Sequence, residues 1–277
     1  EFRRVLFRSC ESMEIRNNKG YGKLKTVIVC YPCNFKVKGK VQINYPLMYE
    51  QYNNFINLIS GEGVKVQLLE PIYGENQVFT RDVGFVIGDT LFISSMSNKE
   101  RIEETKALEK YIKNHNLKVY RMENKIEGGD VIVYENYIFV GLSKRTSLEA
   151  IKELKEYINE YNMGYEIIEI NFNKEKMLHL DCVFNILGKD QCIISDYLYD
   201  KDKIKKRIKT CYNIDKKTSE ELGANIVALG DGRILTSNKT VFHILKKADF
   251  EVFYLDYSEI LKAGGGFTCS TLYFYIE

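Results

Sequence analysis

The sequence predicts an α/β fold in which five similar units close into a ring, and a repeated strand pattern carries this prediction. In four stretches an apolar strand, a tight turn of Gly, Asp or Asn residues and a second apolar strand ending in Ser follow one another, which is typical of a β-hairpin. A helical pattern and one more strand follow most of these hairpins, so the unit is hairpin, helix, strand, recurring about every 40 to 60 residues. The five similar stretches begin at Lys25, Gly84, Asp130, Cys182 and Asn225. A ring would bury the strand edges and bring the turns together at a central channel.

The spacing of apolar residues predicts the helices and the strands that follow them. Residues 99–114 place Ile102, Leu108 and Ile112 on one broad apolar face, and residues 147–161 repeat this pattern behind Ser147, a residue type that caps helix N-termini. The strands after the helices are VKVQLLE, LKVYRM, YEIIEI and EVFYLDY.

Composition narrows the function classes. The 277 residues include 40 Lys and Arg against 38 Asp and Glu, a net charge of +2, which argues against a nucleic-acid or membrane-surface partner. No run approaches the roughly 18 apolar residues of a membrane span. With three prolines and no low-complexity tract, we expect one domain over residues 13–277. Residues 1–12 match nothing that follows, and we interpret them as a cloning or assembly remnant ahead of Met13.

The seven cysteines are odd in number and lack framework spacing, which favours reduced thiols and a cytoplasmic location. Cys30 and Cys33 form a C-x-x-C motif without a second pair, so we interpret them as structural rather than as zinc ligands.

Four polar segments, at Asp82, at Glu127 to Asp130, at His179 to Asp181 and at Cys269, interrupt the strand pattern. Taken together, their side chains could carry out catalysis by a cysteine nucleophile. A reactive thiol at Cys269 needs a proton acceptor, which His179 would supply, and Glu127 would orient that histidine. Asp82 and Asp181 add carboxylates that suit a guanidinium cation. His179 and Asp181 are alternate residues, which predicts one face of a strand. Arg101 and Arg145 suit an anionic group on the same substrate, and a guanidinium joined to a carboxylate describes arginine.

The motifs that carry these residues resemble those of the guanidino-group-modifying enzymes of the pentein superfamily. The motifs are Phe79-x-Arg81-Asp82, Glu127-Gly-Gly-Asp130, His179-Leu-Asp181 and Gly264-Gly-Gly-x-x-Cys269-x-Thr271. The resemblance implies a five-bladed α/β propeller with pseudo-fivefold repeats and no cofactor or metal. It implies Cys269 as nucleophile, His179 as acid and base with Glu127 as its partner, and Asp82 and Asp181 as guanidinium ligands. It further implies that Arg101, Arg145 and Asn76 hold the amino-acid end.

Within the superfamily, the sequence favours a deiminase that converts free arginine to citrulline and ammonia through an S-alkylthiouronium intermediate. Asp181 favours an unmethylated guanidinium, because both terminal nitrogens then find a carboxylate. By the resemblance, methylarginine hydrolases are similar to this chain in length but usually lack an acid two residues after the histidine. A dimethylarginine dimethylaminohydrolase, an amidinotransferase and a dihydrolase that continues to ornithine remain alternatives. The oligomeric state is open, a homodimer included.

The three glycines Gly264 to Gly266 predict close approach of backbone to the site. We expect them to present Cys269 with its neighbouring N–H groups facing the reacting centre. Family members often have proline soon after the Thr of this motif, whereas this chain continues with Leu272 and Tyr273, which leaves the path of the last strand open.

Overall fold

A computed structural model describes residues 13–71, 74–113 and 115–277 of the chain. The interpretation of residues 1–12 as a remnant lies outside these residues.

Fifteen strands in the described residues form five sheets of three strands, which we call blades 1 to 5. Blade 1 contains β1 (Leu24–Cys30), β2 (Lys65–Leu69) and β15 (Leu272–Ile276), and blade 2 contains β3 (Gly84–Ile87), β4 (Thr90–Ile93) and β5 (Lys118–Arg121). Blade 3 contains β6 (Val131–Tyr134), β7 (Tyr137–Gly141) and β8 (Glu166–Ile170), and blade 4 contains β9 (Phe184–Gly188), β10 (Gln191–Ser195) and β11 (Thr210–Ile214). Blade 5 contains β12 (Val227–Gly230), β13 (Arg233–Thr236) and β14 (Glu251–Tyr254).

Every blade has the same internal order. The middle strand pairs antiparallel with an inner strand and parallel with an outer strand, as β4 does with β3 and β5. In blades 2 to 5 the inner and middle strands form a hairpin, which confirms the predicted unit. In blade 1 the first and last strands of the described residues meet instead, because β15 pairs antiparallel with β1. The last strand therefore begins at Leu272, directly after the cysteine motif, and completes the first blade.

Apolar packing closes the ring. The buried apolar residues form five clusters, and each cluster lies between two neighbouring blades. Phe139 of blade 3 meets Phe184 of blade 4 edge to face, for example, and Val227 of blade 5 shares a cluster with Val27 of blade 1. The chain therefore folds as a five-bladed α/β propeller.

Seven helices in the described residues connect the strands. They are α1 (Tyr45–Gly61), α2 (Glu104–Ile112), α3 (Leu148–Glu160), α4 (Lys201–Lys205), α5 (Lys216–Glu220), α6 (Lys239–Lys247) and α7 (Ser258–Leu261). The side chain of Ser147 caps α3 by accepting from the Ala150 N–H, as predicted. The helix expected over residues 99–114 starts later, because residues Lys99–Arg101 form a separate 3₁₀ turn that places Arg101 inside the molecule. None of these helices combines the length and apolarity needed to cross a bilayer.

Candidate active site

The candidate site lies where the inner strands begin. Asp82 precedes β3, the Glu127–Asp130 segment precedes β6, and His179 and Asp181 precede β9. Asn225 precedes β12, and Cys269 precedes β15. Each blade thus contributes a polar side chain at the same end of its inner strand, and short 3₁₀ turns before β3, β6 and β9 aim three of them inward. Asp181 belongs to such a turn and His179 directly precedes it, so the expectation that the two residues share a strand face was wrong.

His179 is fully buried and lies between two carboxylates. Its Nε2 is 2.8 Å from Glu127 Oε2, and its Nδ1 is 3.5 Å from Asp82 Oδ1. Burial by itself lowers the pKa of His179, but the charge of Asp82 and the hydrogen bond to Glu127 outweigh it, so the pKa lies well above the usual value. Burial raises the pKa of Glu127, but the bond and charge of His179 leave that pKa below its usual value. The pair therefore favours an imidazolium facing a carboxylate.

Asp82 is also bound by an arginine. Arg101 Nη1 donates to Asp82 Oδ2 at 2.6 Å, and Arg101 Nε donates to Glu104 Oε2 at 2.9 Å. All three side chains are buried. Glu104, at the first residue of α2, was missed in the sequence because an acid in the first turn of a helix ordinarily has a solvent-exposed role.

Asp181 is completely buried and carries one unsatisfied oxygen. Its Oδ1 lies 3.5 Å from the Cys182 thiol, whereas Oδ2 has no hydrogen-bond partner in the protein. Burial raises the pKa of Asp181 to about 7, although the charge of His179 opposes this shift. Near neutral pH this carboxyl is poised between its two protonation states, and a bound cation would favour the ionised one.

Cys269 lies in a turn over residues 267–270 and is 4% exposed. Its Sγ lies within 4.8 Å of a carboxylate oxygen of Asp181 and of Cys182 Sγ. The N–H of Cys269 donates to Asn225 Oδ1 at 3.3 Å, and the Ser270 N–H donates to the Gly266 carbonyl at 3.1 Å. The expectation that N–H groups beside the thiol face the reacting centre was therefore wrong, because these groups bind inside the protein.

In the run Gly264 to Gly266, a different structural constraint requires glycine at each position. Gly264 has a φ of +83°, a conformation that favours glycine. A Cβ at Gly265 would lie 2.4 Å from the Phe79 ring, and one at Gly266 would lie 2.7 Å from Asn225 Oδ1. The last two glycines thus admit side chains of the site against the backbone, and Gly264 and Gly265 also line the cavity described below.

Asp130 supports the site from behind. Its Oδ2 accepts from Ser143 Oγ at 2.5 Å and Thr146 Oγ1 at 2.7 Å, and its Oδ1 accepts from the Leu180 N–H at 2.9 Å. Because Leu180 follows His179, this bond fixes the turn that holds the imidazole.

One cavity joins six of the eight predicted site residues, and Glu127 and Asp181 are not among the residues that line it. It has a volume of about 130 Å³, and its walls include Asn76, Asp82, Arg101, Arg145, His179 and Cys269. Three fully buried atoms at this site lack hydrogen-bond partners in the described protein: Asp82 Oδ1, His179 Nδ1 and Asp181 Oδ2. Because unpaired buried polar atoms are costly, they indicate a polar ligand. Two carboxyl oxygens without hydrogen-bond donors, at a site that also holds a thiol, match a cation with N–H donors.

Two groups of three side chains have donor atoms close enough to approach one metal ion. They are Asp82, Glu127 and His179, and Asp181, Cys182 and Cys269. In the first group the Nε2 of His179 and the Glu127 carboxylate already bind each other. That the reaction needs no metal ion remains a prediction from the sequence.

Comparison with known proteins places the chain in a family. Residues 34–275 match the model of the eukaryotic N,N dimethylarginine dimethylhydrolase family. The chain belongs to this family. It is also 33% identical to the uncharacterized protein YkgA of Bacillus subtilis over 91% of this chain and 92% of that protein. It is 27% identical to the arginine deiminase of Oenococcus oeni over 73% of this chain but only 61% of that enzyme.

Solved structures share the fold at low identity. The N-terminal domain of ArgZ, a cyanobacterial arginine dihydrolase, superposes with a TM-score of 0.81 at 21% identity, covering 91% of this chain and 97% of that domain. The dimethylarginine hydrolase of Pseudomonas aeruginosa gives 0.79 at 20% identity, with 91% and 100% covered. SxtG, an amidinotransferase from Microseira wollei, gives 0.81 at 18% identity, with 95% and 97% covered. These structures share the fold, and together with the family match and the arginine deiminase relative they identify the chain as an enzyme of the pentein superfamily that acts on amidino groups.

Proposed function

We propose that the protein is a cysteine-dependent hydrolase of the guanidino group of free arginine, giving citrulline and ammonia. One observation carries the proposal: Asp82 Oδ1 and Asp181 Oδ2, two buried carboxyl oxygens without a hydrogen-bond partner in the described residues, lie at the same site as Cys269 and His179, whose Nδ1 is 3.5 Å from Asp82 Oδ1. A planar guanidinium has N–H donors for both oxygens, and its carbon would then face the thiol.

In the first step the Cys269 thiolate attacks the guanidinium carbon and forms an S–C bond. The Nδ1 of His179 donates its proton to the departing nitrogen, the C–N bond breaks, and ammonia leaves an S-alkylthiouronium on the cysteine. The position of Glu127 assigns this role to Nδ1, because Nε2 is already bound to the Glu127 carboxylate. The raised pKa of His179 keeps the proton available at neutral pH.

In the second step water replaces the sulfur. His179, now neutral, takes a proton from water, and the hydroxide adds to the thiouronium carbon. The C–S bond breaks, the hydroxyl proton passes to solvent, and citrulline leaves while the thiolate and the imidazolium are restored.

The amino-acid end of the substrate would meet Asn76, Arg101 and Arg145, which all line the cavity. The side chain of Arg145 is 26% exposed and its Nη1 lies 3.8 Å from Glu127 Oε1, a distance at which its charge is only partly matched. Arg101 is held by two carboxylates. Arg145 is thus the freer cation for an α-carboxylate.

Hydrolysis of asymmetric dimethylarginine is the second candidate. The matched family model favours it, and so does the pKa of Asp181 of about 7, since a neutral carboxyl tolerates methyl groups better than a carboxylate does. Amidino transfer is the third candidate, in which an amine replaces water.

Product analysis separates these functions. The protein is incubated with arginine, agmatine or asymmetric dimethylarginine, each with and without glycine, and the products are identified by mass spectrometry. Citrulline and ammonia from arginine would support the proposal, and ornithine with two ammonia per arginine would indicate a dihydrolase. Dimethylamine as the main product would establish the second candidate, and guanidinoacetate formed only with glycine would establish amidino transfer.

A further inference from the structure

Asn225 is a site residue to which neither the sequence motifs nor the proposed mechanism gives a role. It is 1% exposed and lies two residues before β12, the inner strand of blade 5. Its Nδ2 is 3.2 Å from Cys269 Sγ and 3.4 Å from the Asp181 carbonyl oxygen, and its Oδ1 is 3.3 Å from the Cys269 N. One amide group therefore contacts both the backbone and the sulfur of the same cysteine.

The partners of Asn225 fix which end of its amide faces the sulfur. The Cys269 N–H is a donor only, so the atom beside it must be the amide oxygen. The Asp181 carbonyl is an acceptor only, so the atom beside it must be the amide nitrogen. Both constraints give the same orientation, and in that orientation an N–H of Asn225 points to Cys269 Sγ.

We propose that Asn225 holds Cys269 in place and stabilises its thiolate by donating a hydrogen bond to Sγ. A donor to an ionised acceptor stabilises the charged form. This matters at Cys269, because a carboxyl oxygen of Asp181 lies within 4.8 Å of the sulfur, and a carboxylate there disfavours a second negative charge. The inference deepens the proposed function, since it concerns the nucleophile of that reaction.

Gly266 supports the same arrangement from the backbone side. A Cβ at Gly266 would lie 2.7 Å from Asn225 Oδ1 and 3.2 Å from its Cγ, which is too close for the amide to keep its place. The third glycine of the run therefore provides the space in which Asn225 lies.

The test measures the thiol directly. Ionisation of Cys269 is followed by thiolate absorbance near 240 nm against pH in the wild type, Asn225→Ala, Asn225→Asp and Gly266→Ala, and the same protein with Cys269→Ser is subtracted in each case. Asn225→Asp retains an oxygen for the Cys269 N–H but replaces the donor to sulfur with a negative group. Asn185→Ala is the matched control, because Asn185 Nδ2 also bonds two backbone carbonyls, those of Asp181 and Ala224, without touching the thiol.

We expect the midpoint of ionisation to rise by about 1–2 pH units in Asn225→Ala, further in Asn225→Asp, and not in Asn185→Ala. If Asn225→Ala does not fold, the isosteric Asn225→Asp and the Gly266→Ala variant decide the matter. An unchanged midpoint in the folded Asn225 variants, or an equal rise in Asn185→Ala, would overturn the inference. The readout does not depend on turnover: a shifted midpoint in a protein that consumes no guanidino substrate would reject the proposed function and retain this inference.

Discussion

His179 bridges two carboxylates, with Glu127 Oε2 2.8 Å from its Nε2 and Asp82 Oδ1 3.5 Å from its Nδ1. The two contacts are unequal. The Glu127 bond is short and fixes the ring, whereas Nδ1 has no hydrogen-bond partner in the described residues, and His179 is one of the residues that line the cavity. The imidazole therefore has one side for orientation and one side for proton transfer.

We expect Glu127→Gln to lower kcat by about 10²-fold or more, because the variant keeps the size of the side chain but removes the charge that holds the imidazolium. Without that charge the pKa of His179 falls, so the alkaline limb of the pH profile of kcat should move to lower pH. Steady-state rates between pH 6 and 10 measure both effects. Glu175→Gln, at an exposed ion pair with Lys144, is the control. An alkaline limb that stays in place would contradict the assigned role.

Alkylation should inactivate the enzyme through Cys269 alone. Cys33 is exposed and will also react, and Cys10 lies outside the described residues, so the experiment uses a background with both Cys10→Ser and Cys33→Ser. We expect iodoacetamide to abolish turnover with one adduct, found on Cys269 by peptide mapping, and saturating arginine to slow the reaction. Cys269→Ser should lose at least about 10³-fold in kcat, since a hydroxyl is a far weaker nucleophile without a stronger base. Inactivation that maps to Cys182, or full activity in Cys269→Ser, would refute the mechanism.

We expect Arg145 and Arg101 to have different roles, the first in binding the substrate carboxylate and the second in stabilising the fold. Arginine should be preferred over agmatine by at least about tenfold, because agmatine lacks the carboxylate and a charge-assisted hydrogen bond contributes roughly 1.5–3 kcal/mol. We expect Arg145→Gln to remove most of this preference, measured as the ratio of kcat/KM for the two substrates, with little loss of stability.

Arg101→Gln should instead destabilise the fold by about 3–5 kcal/mol, because it leaves Asp82 and Glu104 buried without their cation. Chemical denaturation of both variants provides the comparison. A preference for arginine that survives Arg145→Gln would mean that Arg145 does not hold the carboxylate.

Sequence patterns were sufficient for the ring and for most of the site, since hairpin turns and alternating strands are local signals. They did not predict α1, because its run of Tyr and Asn residues has weak helix propensity and the Asn44 cap and packing stabilise it instead. They also missed the partners that depend on blades distant in sequence. Asn225 meets Cys269 across 44 residues, and no motif surrounds it. A signal was nevertheless present, because Asn225 stands two residues before an inner strand, as Asp82 does before β3.

Asp181 should decide the choice between arginine and asymmetric dimethylarginine. Its free Oδ2 can accept from an unmethylated terminal nitrogen, whereas two methyl groups there would leave the carboxylate unpaired. We expect a higher kcat/KM for arginine in the wild type, and Asp181→Ala should lower turnover of arginine and narrow the gap. Dimethylarginine as the better wild-type substrate would show that Asp181 does not select against methylation.

The Asp181 carboxyl should also make the free energy of unfolding depend on pH. Burial raises the pKa of Asp181 from 3.8 to about 7 in the folded protein. Below about pH 4 the group is neutral in both states and costs nothing. Between about pH 4 and 7 the unfolded chain ionises first, so the free energy of unfolding falls as pH rises, and the full penalty is present above pH 7.

Asp181→Asn removes this titration while preserving shape. Relative to the wild type, its free energy of unfolding should therefore increase from pH 4 to pH 8 by on the order of 2–4 kcal/mol, even though the variant loses activity. Urea denaturation at four pH values in this range measures the difference, with Asp249→Asn at an exposed position as the control. A difference between variant and wild type that stays constant with pH would mean that Asp181 is ionised throughout in the folded enzyme. In that case the site would hold a permanent carboxylate pair, and its selectivity for an unmethylated guanidinium would no longer depend on pH.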